Sequence, residues 1–197
     1  MKLRIGRLTF VISYPLLCVM TAVIILDSSY SVLLCFSAAV MHELGHLAAL
    51  AAYHSAPETI KLALFDIAII DNKKALRKVS HELVVTLAGV AVNFISAMLL
   101  LIVQIFCSSN ELAVLTAAHL TLGGFNSLPI YSLDGGQALF LILSRHFPPH
   151  KANNILTVIS LIILFPLALC GFLLLLQTRY NFTLLLVSLW LIFETLK

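Results

Sequence analysis

Long apolar stretches follow one another along this chain, and charged side chains lie almost entirely in the gaps between them. Each stretch is close to the roughly 20 residues that an α-helix needs to cross a lipid bilayer. Only 11% of the residues are charged, against roughly 25% in an ordinary soluble domain. A soluble fold could not cover so much apolar surface. The sequence therefore predicts an all-α, polytopic membrane protein with a single domain, residues 1–197.

Six transmembrane helices can be drawn from the apolar stretches. They cover residues 8–26, 31–53, 82–106, 111–130 with a broken continuation to 144, 154–176 and 180–196. Every Lys and Arg except Arg179 lies before the first helix, between the second and third, between the fourth and fifth, or at the last residue. Because cytoplasmic segments of membrane proteins are enriched in Lys and Arg, both termini are predicted to be cytoplasmic.

The second predicted helix, residues 31–53, contains the sequence His-Glu-Leu-Gly-His at residues 42–46. On an α-helix, His42 and His46 lie on the same face, where their imidazoles can hold one metal ion. Glu43 flanks this face and has the position expected of a general base in a zinc hydrolase. Glu43 is also the only charged side chain in the helix, and an ionisable group within a membrane span indicates a functional site.

The fourth predicted helix is not continuous in its pattern, because Pro129 and a Gly-Gly pair on either side of it interrupt the apolar run. Irregular backbone at membrane depth survives only where it lines a cavity or is buried in protein. The interruption contains Asp134 and Asn126. A catalytic zinc site usually has three protein ligands, so Asp134 is predicted to be the third. It could instead cap a helix that begins at Gly135, although the two roles do not exclude each other because a carboxylate has two oxygens. His119 is expected to pack or to support a ligand.

The segment between the second and third predicted helices, residues 58–71, is too short and too polar to cross a membrane. Its apolar residues alternate with other residues, isoleucine is frequent, and an Asp-Asn pair ends it. This pattern predicts a small β-ribbon at the membrane face. The alternative is an interfacial loop that only covers the helices.

Three motifs of the chain resemble those of the site-2 protease family of intramembrane zinc metalloproteases. Residues 42–46 match its His-Glu-x-x-His motif, residues 126–135 its Asn-x-x-Pro…Asp-Gly motif, and residues 88–93 its Ala-Gly-Pro-x-x-Asn element. Val90 replaces the usual proline of that element, and Ser132 stands where a second proline is common. Within the family the chain is most similar to the bacterial sporulation branch, which processes a membrane-associated pro-sigma factor. That branch has a C-terminal regulatory domain without a counterpart in this sequence.

The resemblance implies a single metalloprotease domain whose metal core spans residues 31–145. It implies one Zn²⁺ per chain, held by His42, His46 and Asp134, with Glu43 as the general base and Asn126 stabilising the oxyanion. The expected partners are the lipid bilayer and a membrane-associated protein substrate, such as a pro-sigma or anti-sigma factor. A regulatory membrane protein would be a further partner, and no nucleic acid is expected. The expected location is a bacterial cell membrane.

Two functions other than proteolysis remain open from the sequence. Histidines and a carboxylate inside a helical bundle also suit a proton- or metal-coupled transporter, and broken helices are common in transporters. The absence of paired half-repeats and the ligand spacing of zinc hydrolases argue against transport. The third reading is a catalytically inactive homologue that acts as a binding partner, and the intact motif argues against it.

Overall fold

A computed structural model of the chain describes residues 2–5, 8–14, 21–22, 25, 27, 30–53, 59–62, 67–70, 78–107 and 109–197. The chain divides into two compact units, Met1–Gly124 and Phe125–Lys197. Within the described residues, four short strands and six helices are numbered below in chain order. The single domain predicted for residues 1–197 stays a prediction.

The first unit is built around helices α1 (Ser31–Ala52) and α2 (Val79–Phe106). The carboxylate of Asp27 accepts a hydrogen bond from the backbone N–H of Val32 at 2.7 Å, which satisfies one free donor in the first turn of α1. A Cβ atom at Gly45 of α1 would lie 2.8 Å from the carbonyl oxygen of Ala88 in α2. The glycine therefore lets the two helix backbones approach closely, as small residues do in membrane helix pairs.

Helix α3 (Asn110–Asn126) follows α2 in the chain and begins in the first unit. Gln104 of α2 donates a hydrogen bond to the hydroxyl of Thr116 at 3.0 Å, and that hydroxyl donates to the carbonyl of Leu112. Thr116 thus joins the two helices through a polar contact within largely apolar surroundings, where each such group needs a partner.

The first unit also contains a four-stranded sheet in the order β1-β2-β3-β4. Strands β1 (Lys2–Ile5) and β2 (Leu8–Ile12) pair antiparallel, and β2 pairs parallel with β3 (Thr59–Leu62). Strand β4 (Ile67–Ile70) pairs antiparallel with β3, with Thr59 opposite Ile70. Strands β3 and β4 lie in the segment of the predicted ribbon, whose position at a membrane face stays a prediction. Strands β1 and β2 were not predicted.

The second unit contains helices α4 (Asp134–Leu143), α5 (Pro149–Thr178) and α6 (Thr183–Leu196). Pro149 occupies the first position of α5, where its missing N–H costs no intrahelical bond. The core of this unit is formed by Ile130, Leu164 and Leu191, which come from the segment before α4, from α5 and from α6. The core therefore fixes the irregular segment between α3 and α4 against two helices.

Three helices of the described residues are long and apolar enough to cross a membrane: α1, α2 and α5. Helices α4 and α6 are apolar but shorter, and the 14 residues of α6 fall below the usual length of a span. The predicted first span, residues 8–26, is wrong at its start, because Leu8–Ile12 is strand β2. The count of six transmembrane helices stays a prediction.

Candidate active site

The two motif histidines form a buried pair on α1. His42 is 5% exposed and His46 is 9% exposed, and their Nε2 atoms lie 3.2 Å apart. Zinc–nitrogen bonds of about 2.0–2.1 Å at tetrahedral angles place two ligand nitrogens roughly 3.3 Å apart. The spacing of the pair therefore fits two corners of a tetrahedral zinc site, as the four-residue spacing in the sequence predicted.

The protonation of His46 is fixed by a contact with α2. Its Nδ1 atom lies 2.8 Å from the carbonyl oxygen of Val85. A carbonyl oxygen can only accept, so Nδ1 carries the hydrogen and donates it. In a neutral imidazole the Nε2 atom then has a free lone pair directed at the pair, which is the form that binds a metal.

The second nitrogen of His42 belongs to a chain of polar side chains across three helices. The amide of Asn93 on α2 lies 3.0 Å from Nδ1 of His42 and, on its other side, 3.0 Å from Nδ1 of His119 on α3. An amide has both an acceptor and donors, so Asn93 can present either atom to His42. In the structure the amide nitrogen of Asn93 donates to Nδ1 of His42, and its oxygen accepts from Nδ1–H of His119. Rotation of the amide by 180° would bring the oxygen to Nδ1–H of His42 and leave a lone pair on Nε2 of His42.

This row of polar side chains, His42, Asn93 and His119, is buried. Asn93 is 0% exposed and His119 is also buried, so each polar atom in it needs a protein partner. Such partners behind a metal-binding histidine fix its tautomer and the orientation of its ring. His119 is thus buried against Asn93, and its expected role, packing or support of a ligand, stays a prediction.

Gly89 of α2 packs directly against the imidazoles of His42 and His46. A Cβ atom at this position would lie 2.8 Å from Nε2 and Cε1 of His42 and closer still to Nε2 of His46. These distances are below ordinary van der Waals contact. Glycine is therefore the residue that leaves room for both imidazoles, and the element at residues 88–93 supplies both this space and Asn93.

The other predicted site residues have different surroundings. Glu43 is half-buried on α1, next to His42 in sequence. Asn126 is the last residue of α3, and Asp134 is the first residue of α4; both lie in the second unit. The alternative role of Asp134 as a cap for a helix starting at Gly135 is wrong, because α4 begins at Asp134 and its N-cap is Leu133. The assignment of Asp134 and Asn126 to the metal site stays a prediction.

The irregular segment between Asn126 and Asp134 is tightly folded. A Cβ atom at Gly135 would lie 2.5 Å from the carbonyl oxygen of Leu128, and one at Gly136 would overlap the carbonyl oxygen of Ile130. The two glycines therefore let the segment fold back against the first turn of α4. The Asp-Gly-Gly sequence is thus explained by close backbone packing within the second unit.

Comparison of this chain with a solved structure identifies its family. The site-2 protease from Methanocaldococcus jannaschii matches with a TM-score of 0.71 and 31% sequence identity, covering 99% of this chain and 93% of that chain. This chain belongs to the site-2 protease family. A model of the same family, Peptidase family M50, matches residues 108–167, which include Asn126 and Asp134.

Two curated proteins are also similar to this site-2 protease family member. A zinc metalloprotease of Methanocaldococcus jannaschii is 33% identical over 168 residues, covering 82% of this chain and 47% of the relative. Stage IV sporulation protein FB of Bacillus subtilis (strain 168) is 32% identical over 148 residues, covering 72% of this chain and 50% of the relative. The chain spans about half the length of these curated relatives.

Proposed function

We propose that this chain is an intramembrane zinc metalloprotease that hydrolyses a peptide bond in or near the transmembrane segment of a membrane-associated protein. The observation that carries the proposal is the buried pair of His42 and His46, whose Nε2 atoms lie 3.2 Å apart. Each ring has a partner at its other nitrogen that fixes its orientation, the carbonyl oxygen of Val85 for His46 and the amide of Asn93 for His42. Membership of the site-2 protease family supports the same chemistry.

His42, His46 and Asp134 would hold the zinc, with one ion per chain. The donor set of two imidazoles and a carboxylate is typical of catalytic zinc, which keeps one position for water. Bound zinc would supply Lewis acidity, which polarises a peptide carbonyl and makes water a stronger nucleophile near neutral pH. Asp134 is proposed as a ligand from its place in the Asn-x-x-Pro…Asp-Gly motif.

Glu43 would move the proton. Its carboxylate follows His42 directly on α1 and is half-buried. As a general base it would take a proton from the attacking water, and as a general acid it would return that proton to the departing amide nitrogen. Asn126 would donate a hydrogen bond from its side-chain amide to the carbonyl oxygen of the substrate, where negative charge develops.

The substrate must present an extended backbone, because the peptide bonds of an intact helix are enclosed. Within the described sheet, β4 is an edge strand, since it pairs only with β3. An unwound substrate segment could add to this edge and so recover the backbone hydrogen bonds that it loses on unwinding. We propose β4 as the strand that receives it.

The substrate class to test first is a membrane-associated regulatory protein of the pro-sigma or anti-sigma type. The resemblance of the motifs to the sporulation branch of the family supports this choice, and the similarity to a stage IV sporulation protein agrees with that branch. The proposed location is a bacterial cell membrane with both termini in the cytoplasm, and a regulatory membrane protein would control access to the site. The excess of Lys and Arg in the predicted cytoplasmic segments supports this orientation.

The test compares wild type, Glu43→Gln and Glu111→Gln in lipid vesicles that contain a membrane-anchored substrate. Glu111 is exposed at the start of α3 and makes a matched control for loss of one carboxylate. Glu43→Gln should retain zinc and lose cleavage by at least about 100-fold, the lower end of the contribution that is typical of general acid–base catalysis. Glu111→Gln should cleave at the wild-type rate. Cleavage by Glu43→Gln at that rate would refute the mechanism, and zinc-dependent ion flux without proteolysis would favour transport.

A further inference from the structure

A single buried hydroxyl bridges the backbone of the irregular segment that precedes α4. The hydroxyl of Ser160 accepts a hydrogen bond from the N–H of Tyr131 at 2.9 Å and lies 3.4 Å from the carbonyl oxygen of Pro129, to which it donates. Ser160 is 0% exposed and lies on α5. A hydroxyl can donate and accept at once, so one side chain serves both backbone groups.

A buried serine is unfavourable on this apolar face of α5 unless its hydroxyl makes these two hydrogen bonds. The other buried residues of α5 are apolar or glycine: Ala152, Leu156, Leu164 and Gly171. A hydroxyl on the buried face of an apolar helix costs free energy unless it is hydrogen-bonded. In most such cases a serine bonds to its own helix, as Ser188 of α6 does through the carbonyl of Leu184. Ser160 instead bonds to a segment distant in sequence.

The two backbone groups that bond to Ser160 belong to the residues on either side of Ile130, which anchors the segment. Ile130 lies between Pro129 and Tyr131, is 0% exposed, and packs in the core of the second unit with Leu164. Leu164 stands one helical turn after Ser160 on the same face of α5. The apex of the segment is therefore held to α5 both by apolar packing and by two polar contacts.

The segment has little freedom to absorb a change at this apex. The carbonyl oxygen of Ile130 accepts the N–H of Leu133 at 2.9 Å, and the same carbonyl lies against Gly136. Leu133 in turn is the N-cap of α4, whose first residue is Asp134. A shift of Tyr131 would thus pass directly to the backbone that carries the Asp134 carboxylate.

We propose that Ser160 is a positioning residue whose hydroxyl, by holding the backbone at Pro129 and Tyr131, sets the placement of the Asp134 carboxylate. This inference rests on the proposed function, in which Asp134 is a zinc ligand. Ser160 touches neither metal nor substrate in this role, and it lies outside the three motifs that mark the site in the sequence.

The experiment uses the full chain in lipid nanodiscs and compares wild type, Ser160→Ala and Ser188→Ala. Ser188 is a matched control, because it is also 0% exposed and its hydroxyl donates to a carbonyl oxygen of its own helix. Three properties are measured: hydrogen exchange at the amide of Tyr131, zinc affinity by chelator competition, and the visible spectrum of the Co²⁺-substituted protein. Thermal midpoints confirm that each variant is folded.

We expect Ser160→Ala to exchange at Tyr131 roughly fivefold faster, the effect of losing one typical hydrogen bond. Its zinc affinity should fall about tenfold, as it does when support behind a ligand is lost, and its Co²⁺ spectrum should change. Ser188→Ala should match wild type in all three. Unchanged exchange at Tyr131, or faster exchange with wild-type zinc affinity and Co²⁺ spectrum, overturns the proposal. Absence of zinc binding by wild type would refute the proposed function, and the exchange result would then decide alone whether Ser160 holds the segment.

Discussion

Replacement of Gly89 by alanine tests the geometry of the histidine pair most sharply. The new methyl group would lie 2.8 Å from Nε2 of His42 and closer to Nε2 of His46. Ordinary contact between such atoms requires about 3.5 Å, so the rings or α2 must shift by at least about 0.7 Å. Metal–ligand distances tolerate changes of only about 0.2 Å. The variant therefore cannot keep both imidazoles in place for one metal ion.

The expected size of this effect follows from overpacking. Extra methyl groups in tightly packed sites typically cost about 1–3 kcal/mol, and each 1.4 kcal/mol corresponds to a tenfold change in affinity. Gly89→Ala should thus weaken zinc binding by roughly 5- to 150-fold. Zinc affinity would be measured by chelator competition on protein in nanodiscs, with circular dichroism to confirm that the helices are retained.

A matched control is available in the same unit. A Cβ atom at Gly124 of α3 would meet nothing within 4 Å, so Gly124→Ala should leave zinc affinity unchanged. Because alanine is a better helix former than glycine by about 1 kcal/mol, the control should also be slightly more stable than wild type. Zinc affinity of Gly89→Ala within about twofold of wild type would refute the steric argument, and an equal loss in both variants would attribute the effect to the glycine substitutions in general.

Three further predictions concern the surroundings of the site. Asn93→Ala should weaken zinc binding by about 10- to 100-fold and His119→Leu by about tenfold, because each change removes support behind His42. If both variants bound zinc with the wild-type affinity in chelator competition, this prediction would be contradicted. Proline at Ala68 or at Ile69 should slow substrate cleavage, since alternate residues of an edge strand direct their N–H outward; unchanged cleavage in both variants would end the proposed role of β4. Removal of zinc with a chelator should lower the thermal midpoint of wild type, because a ligand that binds only the folded state stabilises it, and an unchanged midpoint would contradict a resident metal.

The histidine pair could be predicted from the sequence because its geometry is local. Residues four apart on a helix face the same direction whatever the rest of the fold does, and the structure places His42 and His46 together on α1. The helices α1, α2 and α5 were recognisable for a similar reason, since their apolar runs exceed what a strand or a short core helix would need. Their bounds differ from the predicted ones by only a few residues.

The strands β1 and β2 could not be predicted in the same way. The run that begins at Leu8 is largely apolar without a clear period, and such a run does not distinguish a buried strand from a helix. The pairing of β2 with β3 also joins segments far apart in the chain. Register between such segments depends on partners that a single sequence does not reveal.

The roles of Gly89 and Ser160 depend on contacts between distant elements. Gly89 belongs to the motif at residues 88–93, but that motif does not reveal that the missing side chain makes room for imidazoles on α1. Ser160 is the one hydroxyl among the buried residues of α5, and its burial is known only from the structure. Its partner, the backbone around Pro129, was identifiable only from the structure.

The central claim is a zinc ion bound by His42, His46 and Asp134, and X-ray absorption at the zinc edge tests it most directly. The account predicts one zinc per purified chain, with two imidazole nitrogens and additional oxygen ligands at about 2.0–2.2 Å. The imidazole signal should weaken in His46→Ala. A purified wild-type chain without stoichiometric zinc, or zinc surrounded by sulfur, would contradict the account.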